Sequence, residues 1–134
     1  MSEDTLEKIA KYSGLSIVES SMEQVSQKTA ELLAEGYIVG WVQGRAEFGP
    51  RALGNRSILA DPRFIHMKDK INARVKFREE FRPFAPSILH EYGDQYFVGY
   101  QESPYMERTL SFRDEVKEKV AAVVHEDGTG RLQT

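Results

Sequence analysis

Arginines are concentrated in a glycine-rich loop between two apolar segments. Arg45, Arg51 and Arg56 fall within residues 43–56, a stretch that also holds three glycines and a proline. Glycine and proline serve a turn, but a turn needs no arginine. Because the guanidinium group binds carboxylates and phosphates bidentately, the loop is a candidate anion site. A purely structural turn is the alternative that these residues leave open.

A second cationic segment occupies residues 76–86. Lys76, Arg78 and Arg82 leave the end of a predicted helix and lead into an extended, proline-bounded stretch. Side chains two residues apart point the same way in an extended backbone, so Lys76 and Arg78 would act together. Cations at a helix end also interact favourably with its dipole, which is the structural alternative. We expect Arg51, Lys76 and Arg82 to converge on one polyanion in a concave pocket.

Other polar and aromatic residues are better explained by structure. The loop lacks the lysine and the magnesium-binding hydroxyl of a P-loop, since Gly49 is followed by Pro50 and Arg51. Glu47 and Asp61 are interpreted as structural pairing partners, with orientation of the arginines or binding of magnesium as the alternatives. The three histidines have no metal-ligand spacing, so we predict no metal-binding residues. His66 and His90 are not assigned to catalysis, whereas residues 125–128 are either a turn, which is favoured, or the source of an acid or base. Four aromatic residues are predicted to form core, with stacking of one of them on a nucleobase as the alternative: Trp41, Phe48, Phe81 and Phe84.

Composition and charge narrow the class of protein. The chain has 134 residues, of which 40% are hydrophobic and none is cysteine, so it can fill a core without disulfides. No apolar run approaches the ~20 residues that cross a bilayer, and no secretory signal opens the chain, so a cytoplasmic location is expected. Residues 45–82 carry a net charge of +5, against −8 for the rest. This division predicts a focused anion site and argues against a broad nucleic-acid coat.

Periodicity and turn residues predict an α/β domain with a mixed, twisted sheet and flanking helices. Helices are expected over residues 22–35, 66–77 and 114–119, with a helical turn at 92–97 and a short helix in the first 15 residues. Strands are expected over residues 37–42, 57–60, 105–113 and 121–124, with the opening of another at 131–134. Residues 1–20 are interpreted as an N-terminal extension or linker and residues 21–134 as the domain. We expect the residues past 126 to lack strand partners, an exposed edge that would favour a homo-oligomer.

The loop and the second cationic segment carry a specific resemblance. Residues 40–62 closely resemble the signature of the carbamoyltransferase C-terminal domain, found in the nodulation-factor and antibiotic O-carbamoyltransferases. The match continues through residues 70–72 and 75–87 and returns at 125–134. Ala46 stands where methionine is more common, a small departure. The resemblance covers residues 22–134.

The resemblance implies both a fold and an activity. Such domains are similar to the YrdC/Sua5 fold, bind ATP with Mg²⁺ and carbamoyl phosphate, and form carbamoyl-adenylate with release of pyrophosphate. An N-terminal actin-like domain, outside this chain and bearing its own metal, then passes the carbamoyl group to an acceptor hydroxyl. The family pattern also runs past Thr134, so the domain is expected to be truncated at its C-terminus. The small-molecule substrates and that N-terminal domain are therefore the expected partners.

Residue by residue, the resemblance implies a set of nucleotide and anion contacts. The main candidates are Arg51, Lys76, Arg82 and Arg131. Lys76 and Arg82 would also act in catalysis. Weaker candidates are Arg56, Ser57 and Arg78. Because adenylation crowds two phosphate compounds together, it requires fixed cations rather than a protein nucleophile. One alternative is a nucleotide- or RNA-binding module without catalysis; binding to RNA would need exposed aromatic side chains beside the cations. Another is a folded fragment that is inactive because it is truncated.

Overall fold

The computed structural model describes residues 3–134. Contacts divide the chain into two compact units, Met1–Ala30 and Glu31–Thr134. The first unit contains α1 (Glu3–Tyr12) and the larger part of α2 (Met22–Ala34). The short helix expected near the start of the chain is thus observed. The predicted domain boundary between residues 20 and 21 stays a prediction.

Both ends of α2 follow from its flanking residues. The Gln24 amide N–H donates to Ser21 Oγ at 3.3 Å, and the Ser21 N–H donates to Gln24 Oε1 at 3.0 Å. This reciprocal pair is a capping box, which satisfies two N–H groups at the helix start. At the other end Gly36 adopts φ +82°, a left-handed conformation that terminates a helix. The helix predicted over residues 22–35 is confirmed.

The second unit is a small mixed α/β domain with two antiparallel sheets. β1 (Val39–Val42) pairs with β2 (Arg56–Leu59), and β3 (Arg108–Ser111) pairs with β4 (Thr129–Leu132). The helical elements are α3 (Met67–Ile71), a π-helical turn (Asn72–Lys76), a 3₁₀ turn (His90–Tyr92), α4 (Gly93–Tyr96), α5 (Asp114–Lys117) and a 3₁₀ helix (Glu118–Val123). The mixed α/β class is confirmed. The single mixed sheet is not, because residues 31–134 form two separate two-stranded sheets.

The main core lies between the second sheet and the helices near it. Phe97 and Leu132 are fully buried, and the rings of Phe97 and Phe112 lie 4.4 Å apart between centroids. Val116 and Val120 close the cluster from the α5 side. Burial of such side chains contributes ~1.5–3 kcal/mol each. The core therefore anchors β4, which carries one of the candidate site residues.

The C-terminal residues have strand partners within the chain, so the expectation of an unpaired edge past residue 126 is wrong. β4 pairs with β3 over four residues, from Arg108 opposite Leu132 to Ser111 opposite Thr129. Beyond β4, the Gln133 N–H donates to the Pro86 carbonyl at 2.9 Å. These bonds give the C-terminal residues partners on β3 and at Pro86.

Two strand predictions also need correction. Residues 121–124 belong to a 3₁₀ helix and its end rather than to a strand, since a short apolar run has no period that separates the two. The segment predicted as a buried strand over residues 37–42 forms β1, but Val42 is 67% exposed and side chains alternate between partly buried and exposed. Gly40 makes no close approach to other atoms. Within residues 3–134 no helix has the length and apolarity of a membrane span.

Candidate functional site

Glu47 organises the arginine-bearing loop from within. Its Oε1 accepts the N–H groups of Leu53 and Asn55, each at 2.7 Å. Several hydrogen bonds lower the pKa of Glu47, and the bond from the backbone N–H of Asn55 has the largest effect. Asn55 in turn donates its side-chain amide to the Arg45 carbonyl at 2.8 Å. The structural interpretation of Glu47 is confirmed.

Replacing Glu47 with glutamine should loosen this loop. The neutral amide oxygen accepts hydrogen bonds more weakly than a carboxylate, so the Leu53 and Asn55 amides should exchange with solvent faster. In the wild type, these hydrogen bonds lower the pKa of the Glu47 carboxyl group. Both amides should therefore be protected at neutral pH, and this protection should be lost as the pH falls through the lowered pKa. Hydrogen exchange followed by NMR measures both effects. Unchanged exchange in the variant would contradict the role of Glu47.

Arg56 serves the same loop. Its guanidinium donates to the carbonyl oxygens of Gln43 at 2.8 Å, Asn55 at 2.6 Å and Gly44 at 3.0 Å. A guanidinium that caps three carbonyls holds the two ends of the loop together. The structure therefore places Arg56 in the support of the loop and outside the pocket that five of the other six candidates line.

The inner face of the loop forms one wall of a cationic pocket with a volume of about 390 Å³. Four of its lining residues are cations: Arg51, Lys76, Arg78 and Arg131. Ser57 lines it too, and its hydroxyl accepts the Gly54 N–H at 3.0 Å. Gln133 ties the loop to the end of β4 by donating from Nε2 to the Leu53 carbonyl at 2.9 Å. Five of the seven sequence-predicted residues therefore share this pocket.

Arg131 is the most deeply placed of these cations. Burial is the main cause that lowers the pKa of Arg131, and the positive charge of Arg51 lowers it further. Its Nε is buried and has no hydrogen-bond partner among residues 3–134. Buried donors in native proteins are almost always paired. An anion in the cationic pocket would offset the repulsion between the two arginines.

Arg51 and Lys76 are exposed side chains that make no ion pair within the described part of the chain. Arg78 is different, because its Nε donates to Asn72 Oδ1 at 2.7 Å and its Cζ lies 4.5 Å from the centroid of the Phe84 ring. Burial and the charge of Arg82 lower the pKa of Arg78. Of the four cations that line the cationic pocket, Arg51 and Lys76 are open, Arg78 is held against its wall and Arg131 is partly buried.

Arg82 does not line the cationic pocket. Its guanidinium lies 3.8 Å from the carboxylate of Glu79 and is largely exposed, while its backbone carbonyl accepts a bond from Asn72. The convergence predicted for Arg51, Lys76 and Arg82 is observed for the first two and is wrong for the third. The cause is the loop after residue 76, where Phe77 is left-handed at φ +48° and the chain does not continue as a simple extended segment.

The aromatic residues also differ from expectation. Phe48 is fully exposed and Phe81 is 75% exposed, so neither belongs to the core, whereas Phe84 is half-buried against it. Phe77, which had not been singled out, is 82% exposed. Short loops rich in glycine, proline and charge leave these rings without apolar neighbours, a long-range outcome that residue type does not reveal.

Sequence reasoning missed two residues that shape the site. Asn72 is fully buried beneath the cationic segment, and a single asparagine inside a predicted helix gives no signal of that role. Met106 lines the cationic pocket at φ +56°, an uncommon conformation for a side chain that is not glycine. The three histidines and the carboxylates are not grouped to hold a metal ion within residues 3–134.

Comparison with known proteins places these features in a family. The family described as "Carbamoyltransferase C-terminus" matches residues 30–134. The chain is 53% identical over 115 residues to nodulation protein NolNO of Sinorhizobium fredii, covering 84% of this chain and 17% of that protein. It is 50% identical over 115 residues to nodulation protein NolO of Bradyrhizobium diazoefficiens, covering 84% and 21%. Nodulation protein U of Rhizobium tropici is 50% identical over 105 residues, covering 78% and 18%.

The chain thus spans about a fifth of the length of these relatives. The matched region contains the loop, the second cationic segment and β4, which together build the cationic pocket. With 105 of its 134 residues accounted for by one family, from residue 30 to residue 134, the chain belongs to the carbamoyltransferase C-terminal family.

Proposed function

We propose that this chain is the carbamoyl-adenylate-forming part of an O-carbamoyltransferase. It binds ATP and carbamoyl phosphate in the cationic pocket. The observation that carries the proposal is Arg131, whose buried Nε lacks a partner beside the charge of Arg51. A pocket built to remain empty would not concentrate unpaired cations in this way, because their mutual repulsion destabilises the fold.

The chemistry assigns the protein a charge-neutralising role. Carbamoyl phosphate loses its phosphate to water, and the carbamate oxygen displaces pyrophosphate from the α-phosphorus of ATP. Negative charge accumulates on the leaving pyrophosphate, and Arg51, Lys76 and Arg131 stabilise it. Ser57 contributes a hydroxyl, and Arg82 adds positive potential from outside the pocket. Mg²⁺ enters with ATP, held chiefly by phosphate oxygens.

The complete reaction belongs to a longer protein. The carbamoyl group would pass from the adenylate to an acceptor hydroxyl on an N-terminal actin-like domain that carries its own metal. The share of the relatives' length that this chain covers supports a division of labour between domains. A YrdC/Sua5-like fold and a cytoplasmic location complete the proposal.

A second candidate function is a nucleotide- or RNA-binding module without catalysis. The exposed rings of Phe77 and Phe81 favour it, since they lie along the same segment as Lys76, Arg78 and Arg82. Aromatic rings interleaved with cations are the usual platform for unpaired bases. The adenylate-forming function has better support, because Arg51, Lys76 and Arg131 line one pocket, whereas Phe77 and Phe81 do not line it.

Calorimetric titration with ATP, carbamoyl phosphate and a single-stranded RNA distinguishes the two functions. We expect ATP to bind with an affinity that falls as salt rises, because the contacts are ionic. We also expect labelled pyrophosphate to exchange into ATP when carbamoyl phosphate is present. Binding of RNA but not of ATP would favour the second candidate. If neither ATP nor pyrophosphate binds at low salt, the proposal fails.

A further inference from the structure

Asn72 is a polar side chain with no exposure to solvent, and all its bonds go to one segment. Its Nδ2 donates to the carbonyl of Glu80 at 3.3 Å and to that of Arg82 at 3.1 Å. Its Oδ1 accepts the Nε–H of Arg78 at 2.7 Å. One amide therefore fastens three points of the chain between residues 78 and 82.

The backbone at Asn72 adds two more bonds to this segment. Its carbonyl accepts the N–H groups of Phe77 and of Arg78, the latter at 3.1 Å. These bonds close a π-helical turn over Asn72–Lys76, a rare geometry that often marks functional sites. Phe77 follows in a left-handed conformation that costs free energy for a residue with a side chain. Such a conformation persists only where neighbouring contacts hold it.

We infer that Asn72 is a positioning residue of the cationic pocket. It fixes the π-helical turn and the segment after it so that Lys76 and Arg78 line the pocket, and this role rests on the function proposed above. Arg78 acts through the same bond, because its guanidinium is committed to Asn72 and to the Phe84 ring. Anion affinity therefore depends on a buried amide that touches no ligand.

Other roles of Asn72 and Arg78 predict different effects on stability and on anion affinity. If Asn72 only stabilises the fold, its loss would lower the unfolding free energy but leave the affinity of folded molecules unchanged. If Arg78 binds the anion directly, its replacement by lysine would weaken binding whatever residue stands at position 72. The two roles are separated by comparing single and double variants, since coupled residues have non-additive effects.

The experiment measures pyrophosphate and ATP binding by calorimetry for Asn72→Ala, Arg78→Lys and the double variant. Val116→Ala is the matched control, because Val116 is a core residue that does not line the pocket. We expect Asn72→Ala to weaken pyrophosphate binding about tenfold, as for one charge-assisted contact. Arg78→Lys should weaken it by a similar factor although the charge is kept. The double variant should be no weaker than Asn72→Ala alone.

The outcomes separate this inference from the proposed function. Wild-type affinity in Asn72→Ala overturns the inference while the proposed function stands. Failure of the wild type to bind either probe overturns both. Should Asn72→Ala not fold, Arg78→Lys tests the same hydrogen bond from its partly exposed end, and wild-type affinity there overturns the inference. A loss in Val116→Ala equal to that in Asn72→Ala would show that stability alone controls binding and would also overturn it.

Discussion

Replacing Arg131 with alanine will weaken the binding of ATP or pyrophosphate by about 10- to 100-fold, the range for a hydrogen bond between charged groups. The cause is the position of its side chain, which lines the cationic pocket beside the charge of Arg51. The free energy of unfolding should stay the same or rise, because in the empty site Arg131 is a desolvated cation repelled by Arg51. Calorimetric titration at low salt measures the affinity, and denaturant titration measures the free energy of unfolding.

The matched control is Arg108→Ala. Arg108 lies on β3, and its guanidinium is bound to the Gln101 side chain at 2.6 Å and to the Glu102 carbonyl at 3.1 Å. It does not line the cationic pocket, so its loss changes the net charge as Arg131→Ala does but removes no side chain from the pocket. Binding should fall by less than a factor of about two at moderate salt, where distant charges are screened. Equal losses in both variants would mean that net charge alone attracts the anion.

The sequence predicts those pocket residues whose positions depend on local chemistry. Arg51 sits on a loop whose glycines and proline exclude a long regular element, so its exposure follows from the chain itself. The capping box at Ser21 and the helix end at Gly36 are equally local. Arg82 is the contrasting case. Its distance from the pocket follows from the bonds of Asn72 and the left-handed Phe77, which residue type alone does not encode.

The pairing of strands that lie far apart in the sequence is the other feature that could not be predicted. Residues 131–134 are predicted to open a strand, and Arg131 and Leu132 do lie on β4. The prediction that these residues lack a strand partner within the chain is wrong. The partner is β3, about twenty residues earlier, and the choice between the two is decided by burial of Leu132 and Phe112 in a common core. Periodicity describes which residues face inward along one strand and carries no information about the strand alongside.

Replacing Gly130 with alanine will lower the free energy of unfolding by about 3 kcal/mol, the upper part of the range for an overpacked core. A Cβ at Gly130 would lie 2.5 Å from Cε2 and 2.9 Å from Cζ of Phe112. Carbon atoms attract each other best at ~3.5–4.0 Å, so these contacts are strongly repulsive. The ring cannot swing aside freely, since it is buried and packed on Phe97. Denaturant titration of both proteins gives the difference.

Gly40→Ala in β1 is the matched control, because nothing lies within contact distance of a Cβ at that position. It should leave stability unchanged or raise it by up to about 1 kcal/mol, the usual gain from removing a strand glycine. Phe112→Leu supplies the test of mechanism. Its cost should be smaller in the Gly130→Ala background than in the wild type, because the shorter side chain relieves the clash. Additive costs would show that Phe112 is not the obstacle.

The same glycine connects the core to the cationic pocket. Gly130 lies next to Arg131 on β4, so a Cβ that pushes β4 from the Phe112 ring also displaces the Arg131 guanidinium. Gly130→Ala should therefore weaken pyrophosphate binding in the fraction of molecules that stay folded, and Phe112→Leu should restore part of that affinity together with part of the stability. If stability recovers without any recovery of affinity, β4 does not transmit the displacement, and the placement of Arg131 depends on the loop across the pocket instead.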